Sequence, residues 1–274
     1  MAEVIRHGYE ELYDDRLVHE DIAFGEWFSK AREWAYGSEY PLENTLEMVR
    51  RVLPRWGIAT GIRVRFYVEG STEQGALESG LEGSLGFGVE VVNIRAQGWD
   101  TWLKQELEND VQAKRFSMLM LDADRQDAIR GLQKRAEERL IVGKVFVNDP
   151  DLEGRFTPQQ LCEAAEVYEA SKGVTNPSPL DVIKFAHVKN GKEFEQCYCK
   201  ERMAPSLKGK QWGAALMQVA FNSRSDASDE SNPLVHAVMC ALRGVMTDYD
   251  AHAKLMHVDP RTLQSIETGR DFFN

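Results

Sequence analysis

The chain has 274 residues, of which 43% are apolar and 28% are charged, a composition typical of a folded globular protein. It contains no apolar run of the roughly 18 residues that a membrane-spanning helix needs, and its first residues lack the apolar segment of a secretory signal. Its four cysteines show no disulfide spacing: Cys162, Cys197, Cys199 and Cys240. We therefore expect a cytoplasmic protein with no membrane partner.

The formal net charge of −11 argues at first against nucleic acid as a partner. The charge is unevenly distributed, however, because residues 1–47 carry twelve acids and four bases. Residues 48–65 carry five arginines and no acid, and residues 184–210 carry seven basic residues against three glutamates. Local basic stripes therefore remain available to bind phosphate groups, although a charge run is often only a solvated surface.

The first part of the chain, residues 9–56, is predicted to form two helices separated by the loop Gly37–Pro41. Four short apolar strands are then predicted, alternating with helices. The strands are Arg63–Val68, Val89–Ile94, Phe116–Leu121 and Leu140–Val147. The helices are Glu73–Leu81, about Asp100–Val111, Gln126–Arg139 and Leu161–Ser171, the last preceded by Thr157 as N-cap and Pro158. This alternation predicts an α/β fold, with a four-stranded, parallel, Rossmann-like sheet flanked by helices.

The last hundred residues are predicted to be mostly helical. The three helices expected there are Pro179–His187, Gln211–Asn222 and Pro233–Met246. We therefore divide the chain into a helical N-terminal segment (1–60), an α/β domain (61–173) and a helical C-terminal region (174–274).

Acidic residues follow two of the predicted strands. Glu69 ends the first strand and Glu73 follows one helical turn later, while Asp122 and Asp124 follow the third strand. The carboxyl ends of parallel strands meet at one edge of a sheet, so these carboxylates should lie close together. Such a group of hard oxygen ligands suits Mg²⁺ or Mn²⁺, and without a cation its mutual repulsion should raise at least one pKa.

A simpler interpretation of the same acids does not involve a ligand. Glu73 and Asp124 could be helix-start residues that favour the positive end of the helix dipole, and Asp122 could be a turn residue. For any single acid this is the better interpretation. For both groups together, each ending an apolar strand, a shared cation site is favoured.

The motif Val68-Glu-Gly-Ser-Thr-Glu73, followed by Asp122-Ala-Asp124, resembles the TOPRIM domain of topoisomerases, primases and several nucleases. Its Thr-Glu ending looks most like the OLD-family (overcoming lysogenization defect) nucleases. The resemblance covers roughly residues 63–155. It departs from the family pattern after the second strand, where Arg95-Ala-Gln-Gly98 stands in place of a glycine pair.

The resemblance implies a site with two bound Mg²⁺ or Mn²⁺ ions. Its implied metal ligands are Glu69, Glu73, Asp122, Asp124, Asp151 and Glu153, since Asp151-Leu-Glu153 matches the family's later Asp-x-Glu. Glu69 and Asp122 would be central to catalysis, with Glu69 alternatively a general acid or base. Lys208-Gly-Lys210 supplies the family's C-terminal lysine, so that Lys210 would be catalytic and both lysines would contact nucleic acid.

The implied function is a metal-dependent endonuclease that cleaves phosphodiester bonds, of DNA ahead of RNA, with a role in antiviral defence. No G-x-x-x-x-G-K-[S/T] motif occurs in the chain, although OLD proteins usually carry an ATPase. An ATPase partner in trans and a homo-oligomer are therefore also expected. The alternatives are a non-catalytic TOPRIM scaffold or sensor subunit, which binds nucleic acid or a partner protein, and a phosphatase or nucleotide hydrolase on a similar sheet.

Overall fold

Four parallel strands form a sheet in the order β2-β1-β3-β4. The computed structural model describes residues 61–82, 88–94, 101–174, 178–203, 206–225 and 231–264. The strands are β1 (Val64–Val68), β2 (Val89–Asn93), β3 (Phe116–Asp122) and β4 (Gly143–Asn148). The predicted α/β fold with a four-stranded parallel sheet is thus confirmed. The predicted helices within 9–56 and the Arg95–Gly98 loop lie outside the described residues.

Helices connect and cover the strands. They are α1 (Ser71–Gly80), α2 (Leu103–Gln112), α3 (Gln126–Glu137), α4 (Pro158–Ser171), α5 (Val182–Phe185), α6 (Gly191–Arg202), α7 (Lys210–Asn222), α8 (Pro233–Met246) and α9 (Tyr249–His252), with a 3₁₀ turn at Glu153–Arg155. Thr157 caps α4 as predicted, with its side chain accepting from the Gln160 N–H. None of the described helices is long and apolar enough to cross a membrane.

Two helices differ from the prediction. The helix expected over Pro179–His187 is reduced to the single turn α5, and α6 was not predicted at all. The sequence of α6 is mostly polar, and its buried side chains are Phe194 and Tyr198. Two apolar residues give too little periodicity to predict a helix. A start signal is nevertheless present, since the Asn190 side chain accepts a hydrogen bond from the Glu193 N–H.

Alternation along the strands divides the buried side chains between the two faces of the sheet. On one face, Phe66 and Met120 belong to the core that includes residues of α1, α4, α7 and α8. On the other, Tyr67 and Leu119 belong to a second core with residues of α2 and α3. Asp122 lies two residues beyond Met120, so the same alternation directs it toward the face that α1 and α7 cover.

Two glycines allow α1 and α7 to cross with their backbones in contact. A Cβ on Gly213 would lie 1.8 Å from the carbonyl oxygen of Thr72, and a Cβ on Gly75 would lie 2.1 Å from that of Lys210. Any larger residue at either position would force the helices apart. The residues after 174 that carry α7 and α8 therefore share the core of the sheet, and they belong to one compact unit with it.

Candidate functional site

Three carboxylates from different elements come together at the carboxyl edge of the sheet. Asp122 is the last residue of β3, Glu73 lies in the first turn of α1, and Glu153 opens the 3₁₀ turn that follows β4. Burial raises the pKa of Asp122 to about 8, and repulsion from Glu73, Glu69 and Glu153 adds to the rise. The predicted gathering of acids at this edge is therefore present in the structure.

Glu73 is the most deeply placed of the three, with 8% of its surface exposed. Burial, together with repulsion from Glu153 and Glu69, raises its pKa to about 7, although the backbone N–H groups of Glu73 and Gly70 act in the opposite direction. The carboxylate lies so close to the Gly70 backbone that a Cβ there would be 2.6 Å from its Oε2. Glu73 is thus the helix-start acid of the simpler interpretation, and its role as a metal ligand stays a prediction.

Glu153 is held from the C-terminal part of the chain. The indole Nε1–H of Trp212, in the first turn of α7, donates to its Oε1 at 2.9 Å. The Trp212 ring is 1% exposed and stacks on Phe194 with ring centroids 6.1 Å apart. Burial raises the pKa of Glu153, and the Trp212 hydrogen bond opposes that rise.

Glu69 is paired with a basic side chain. Its Oε1 accepts a hydrogen bond from the guanidinium of Arg125, the residue that precedes α3. Its Oε2 is buried and has no hydrogen-bond partner in the structure. Burial raises the pKa of Glu69, while Arg125 lowers it and Asp124 raises it. Asp124 itself is exposed, and so the structure places it beside this ion pair at the rim of the site.

The Asp151 side chain accepts hydrogen bonds from two backbone N–H groups. Its Oδ1 accepts from the Gly154 N–H and its Oδ2 accepts from the Gly191 N–H, both at 2.8 Å. These bonds fasten the segment after β4 to the start of α6, and they hold Glu153 in place beside its neighbours. The predicted role of Asp151 as a metal ligand stays a prediction, and the bonds give the residue a structural role in addition.

The two lysines predicted to contact nucleic acid lie near the start of α7. The Nζ of Lys210 is 2.7 Å and 2.8 Å from the two carboxylate oxygens of Glu78, on α1. Lys210 is thus neutralised by Glu78, an acid outside the predicted metal ligands. Lys208 is exposed on the surface.

The donor set fits a hard divalent cation, although the side chains do not stand in a metal-binding geometry. Among the described residues, no group of three or more His, Cys, Asp or Glu side chains is arranged to hold a metal ion. Three facts support a fit: the ligands are all carboxylate oxygens, burial and repulsion from other acids raise the pKa values of Glu73 and Asp122, and Glu69 Oε2 is buried without a partner. A cation there would relieve the repulsion once the acids converged on it.

Sequence reasoning missed three residues of this site. Arg125 directly follows the Asp122-Ala-Asp124 motif, so its place in the chain could have indicated that it lies near Glu69. Asn148, at the end of β4, lies with its Nδ2 3.4 Å from Asp122 Oδ1, as expected for a residue that ends the neighbouring strand. Trp212 gave no such signal, because its contact with Glu153 depends on how α7 packs.

Comparison of the chain with protein-family models, with curated proteins and with solved structures found no match. The resemblance to TOPRIM and OLD-family proteins therefore stays a prediction that rests on the motif residues themselves. What the geometry contributes is independent of it: a cluster of carboxylates at the carboxyl edge of a parallel sheet, where such folds commonly bind their ligands.

Proposed function

We propose that the protein is a divalent-metal-dependent nuclease that hydrolyses phosphodiester bonds of nucleic acid. The observation that carries this proposal is the convergence of Glu73, Asp122 and Glu153, whose pKa values are raised by burial and by repulsion from neighbouring carboxylates. Acids in such a position destabilise the fold unless they are protonated or bind a cation, and this makes a structural role alone a poor explanation for all three.

Glu73, Asp122 and Glu153 would hold the cation, with Glu69 and Asp124 able to complete a second position. Bound Mg²⁺ or Mn²⁺, one ion or two, supplies positive charge that stabilises the transition state and favours ionisation of water. The oxygen of a water molecule forms a new bond to phosphorus as the bond from phosphorus to the bridging sugar oxygen breaks. Glu69 accepts the proton that the water loses, and the departing oxygen takes a proton from solvent.

The finer parts of the proposal come from the resemblance. They are DNA as a substrate ahead of RNA, an ATPase partner in trans, self-association and a role in antiviral defence. The exposed Lys208 and the basic stripe of residues 184–210 support nucleic acid as the substrate, because backbone phosphates are bound mainly by lysine and arginine.

The test uses the full chain with plasmid DNA, RNA and nucleotides as separate substrates, each with Mg²⁺, with Mn²⁺ and with a chelator. We expect metal-dependent cleavage of nucleic acid, which Asp122→Asn abolishes while the variant stays folded by circular dichroism. Glu137 is an exposed residue of α3. The control variant Glu137→Gln removes one negative charge outside the site and should keep full activity. No cleavage by the wild type, or full activity of Asp122→Asn, would overturn the proposal, and release of phosphate from nucleotides alone would favour a phosphatase.

A non-catalytic scaffold is the second candidate. It is favoured by the ion pair of Arg125 with Glu69, which satisfies one acid without a metal, and by the lack of a metal-ready group among the described residues. Thermal melting separates the two candidates. At a metal concentration about 100 times Kd, binding to the folded state adds about 2.7 kcal/mol, which corresponds to about 5–10 °C in Tm. A scaffold that binds no metal would melt at the same temperature with and without it.

A further inference from the structure

We propose that Arg125, rather than Lys210, is the basic catalytic residue of the site. In the metal-free protein its guanidinium neutralises Glu69. When metal binds, Arg125 is displaced from Glu69 and contacts the scissile phosphate. The inference rests on the proposed nuclease function and deepens it.

Position is the first argument. Arg125 contacts the Glu69 carboxylate and lies with its Nε 3.5 Å from Asp127 Oδ1. Its side chain is 39% exposed, so the guanidinium is open to solvent while it contacts a carboxylate of the cluster. Lys210, by contrast, is bonded to both oxygens of Glu78, and moving it to a phosphate would break both of these bonds.

Competition for one carboxylate is the second argument. Glu69 carries a single negative charge, and one of its oxygens is already bonded to Arg125 while the other is buried without a partner. A divalent cation bound to Glu69 would lie next to the Arg125 guanidinium, and the two positive charges would repel each other. Binding of the cation should therefore weaken the Arg125–Glu69 pair, and removal of the guanidinium should strengthen cation binding.

The third argument concerns where the displaced guanidinium can go. Arg125 is anchored by the backbone at the carboxyl end of β3, one residue after Asp124, so its reach is limited to the same edge of the sheet. Asp127 offers a second acid that keeps the side chain near the site. A planar guanidinium binds two phosphate oxygens at once, and a phosphate at the carboxylate-held cation would lie within its reach.

A purely structural ion pair is the rival explanation, in which Arg125 only fastens the start of α3 to β1. Such a partly exposed pair contributes little to stability, about 0–1 kcal/mol. Its loss would also free Glu69 for a cation, but any loss of activity would follow the loss of folded protein. The two explanations therefore differ in the kcat of the folded variant.

The experiment measures two quantities on the wild type, Arg125→Gln, Arg125→Lys and Arg130→Gln. Mn²⁺ affinity is measured by calorimetry without nucleic acid, and kcat and KM are measured with the substrate that the wild type cleaves. Arg130, an exposed residue of α3, is the matched control. Tm of each variant reports whether it is folded.

We expect Arg125→Gln to bind Mn²⁺ about 3–10 times more tightly, because a competing positive charge is gone. We expect its kcat to fall about 10²-fold or more, the usual effect of removing one stabilising donor from a transition state. Arg125→Lys should recover part of kcat, and Arg130→Gln should match the wild type in both measurements. Weaker or unchanged Mn²⁺ binding by Arg125→Gln, or an unchanged kcat, would overturn the inference. A wild type that neither binds Mn²⁺ nor cleaves nucleic acid would instead overturn the proposed function itself.

Discussion

The indole N–H of Trp212 donates a hydrogen bond to Oε1 of Glu153 across 2.9 Å, and through this bond a helix of the C-terminal region fixes one carboxylate of the candidate site. The bond opposes the rise in the pKa of Glu153 that burial causes. Glu153 is therefore kept closer to its charged form than its surroundings alone would allow.

Replacing Trp212 by Phe tests this relationship. Trp212→Phe keeps an aromatic ring to stack on Phe194 but removes the donor, so the pKa of Glu153 should rise further. We expect weaker Mn²⁺ binding at neutral pH that recovers as the pH is raised, and a loss of about 1–3 kcal/mol in unfolding free energy, as for a hydrogen bond to a charged group. The measurements are calorimetric titrations between pH 6 and 9 and urea denaturation.

Trp102→Phe is the matched control for that experiment. Trp102 packs edge-on against Tyr67, in the core on the other face of the sheet. Its replacement should change stability without moving the pH dependence of metal binding. If both variants shift that dependence equally, the bond from Trp212 does not control the charge of Glu153.

The metal-free protein should lose stability as the pH rises. Burial and repulsion from other acids raise the pKa of Asp122 to about 8 and that of Glu73 to about 7, above the ordinary values of 3.8 and 4.5. At a pH between the ordinary and the raised pKa of each acid, the folded state binds more protons than the unfolded state. The free energy of unfolding therefore falls with increasing pH. In the presence of a chelator, we expect the free energy of unfolding to be at least about 1 kcal/mol lower at pH 8.5 than at pH 5.5.

Urea denaturation at several pH values checks this slope, and Asp122→Asn should flatten it because the variant no longer binds the extra proton. Added Mg²⁺ should compensate for the loss at high pH, since deprotonated carboxylates bind the ion best. A protein whose stability rises steadily from pH 5.5 to 8.5 in chelator would show that the two acids are already charged without a cation.

Because α1 and α7 cross at glycines, a single methyl group added at the crossing should strongly lower the stability of the protein. Gly213→Ala would place a Cβ 1.8 Å from the Thr72 carbonyl oxygen, and the helices must separate to accommodate it. We expect a loss of about 3 kcal/mol or more, at the upper end of ordinary point substitutions. Gly131→Ala on α3, where a Cβ meets nothing within 4 Å, should instead stabilise the protein by about 0.5–1 kcal/mol. Thermal melting compares the two, and equal effects would contradict the close crossing.

Measurements of stability and of Mn²⁺ affinity can distinguish the role of Asp151 from that of the other acids. Both of its oxygens accept backbone hydrogen bonds, and Asp151→Asn retains only one acceptor. We expect a loss of about 1 kcal/mol in stability and a smaller loss of Mn²⁺ affinity than Asp122→Asn causes. The reverse order of the two affinities would make Asp151 a principal metal ligand, as the sequence resemblance implies.

The sheet could be predicted from the sequence because each strand is a short apolar run with its own turn or helix-start signal. The places of Asp122 and Glu73 followed from the same reasoning, since residues that end parallel strands meet at one edge. The ends of the strands were predicted less accurately. Strand β4 begins at Gly143, three residues after the predicted start. At that point the backbones of Ser117 and Gly143 approach closely. Such approaches depend on the assembled sheet and leave no local pattern.

The partners of charged side chains could not be predicted. The family resemblance implied that Lys210 lies at the carboxylates, yet it is bonded to Glu78 across the α1–α7 crossing. Long side chains choose among several acids within reach, and the choice depends on helix packing that periodicity does not specify. The contact of Trp212 with Glu153 has the same origin.

The close crossing of α1 and α7 also determines when the site can be completed during synthesis. Glu69, Glu73, Asp122 and Glu153 all leave the ribosome before Trp212, the residue that fixes Glu153, has been made. An unfinished chain therefore holds every acid of the cluster without the helix that orders them. The carboxylate cluster would therefore reach its final arrangement only late in translation.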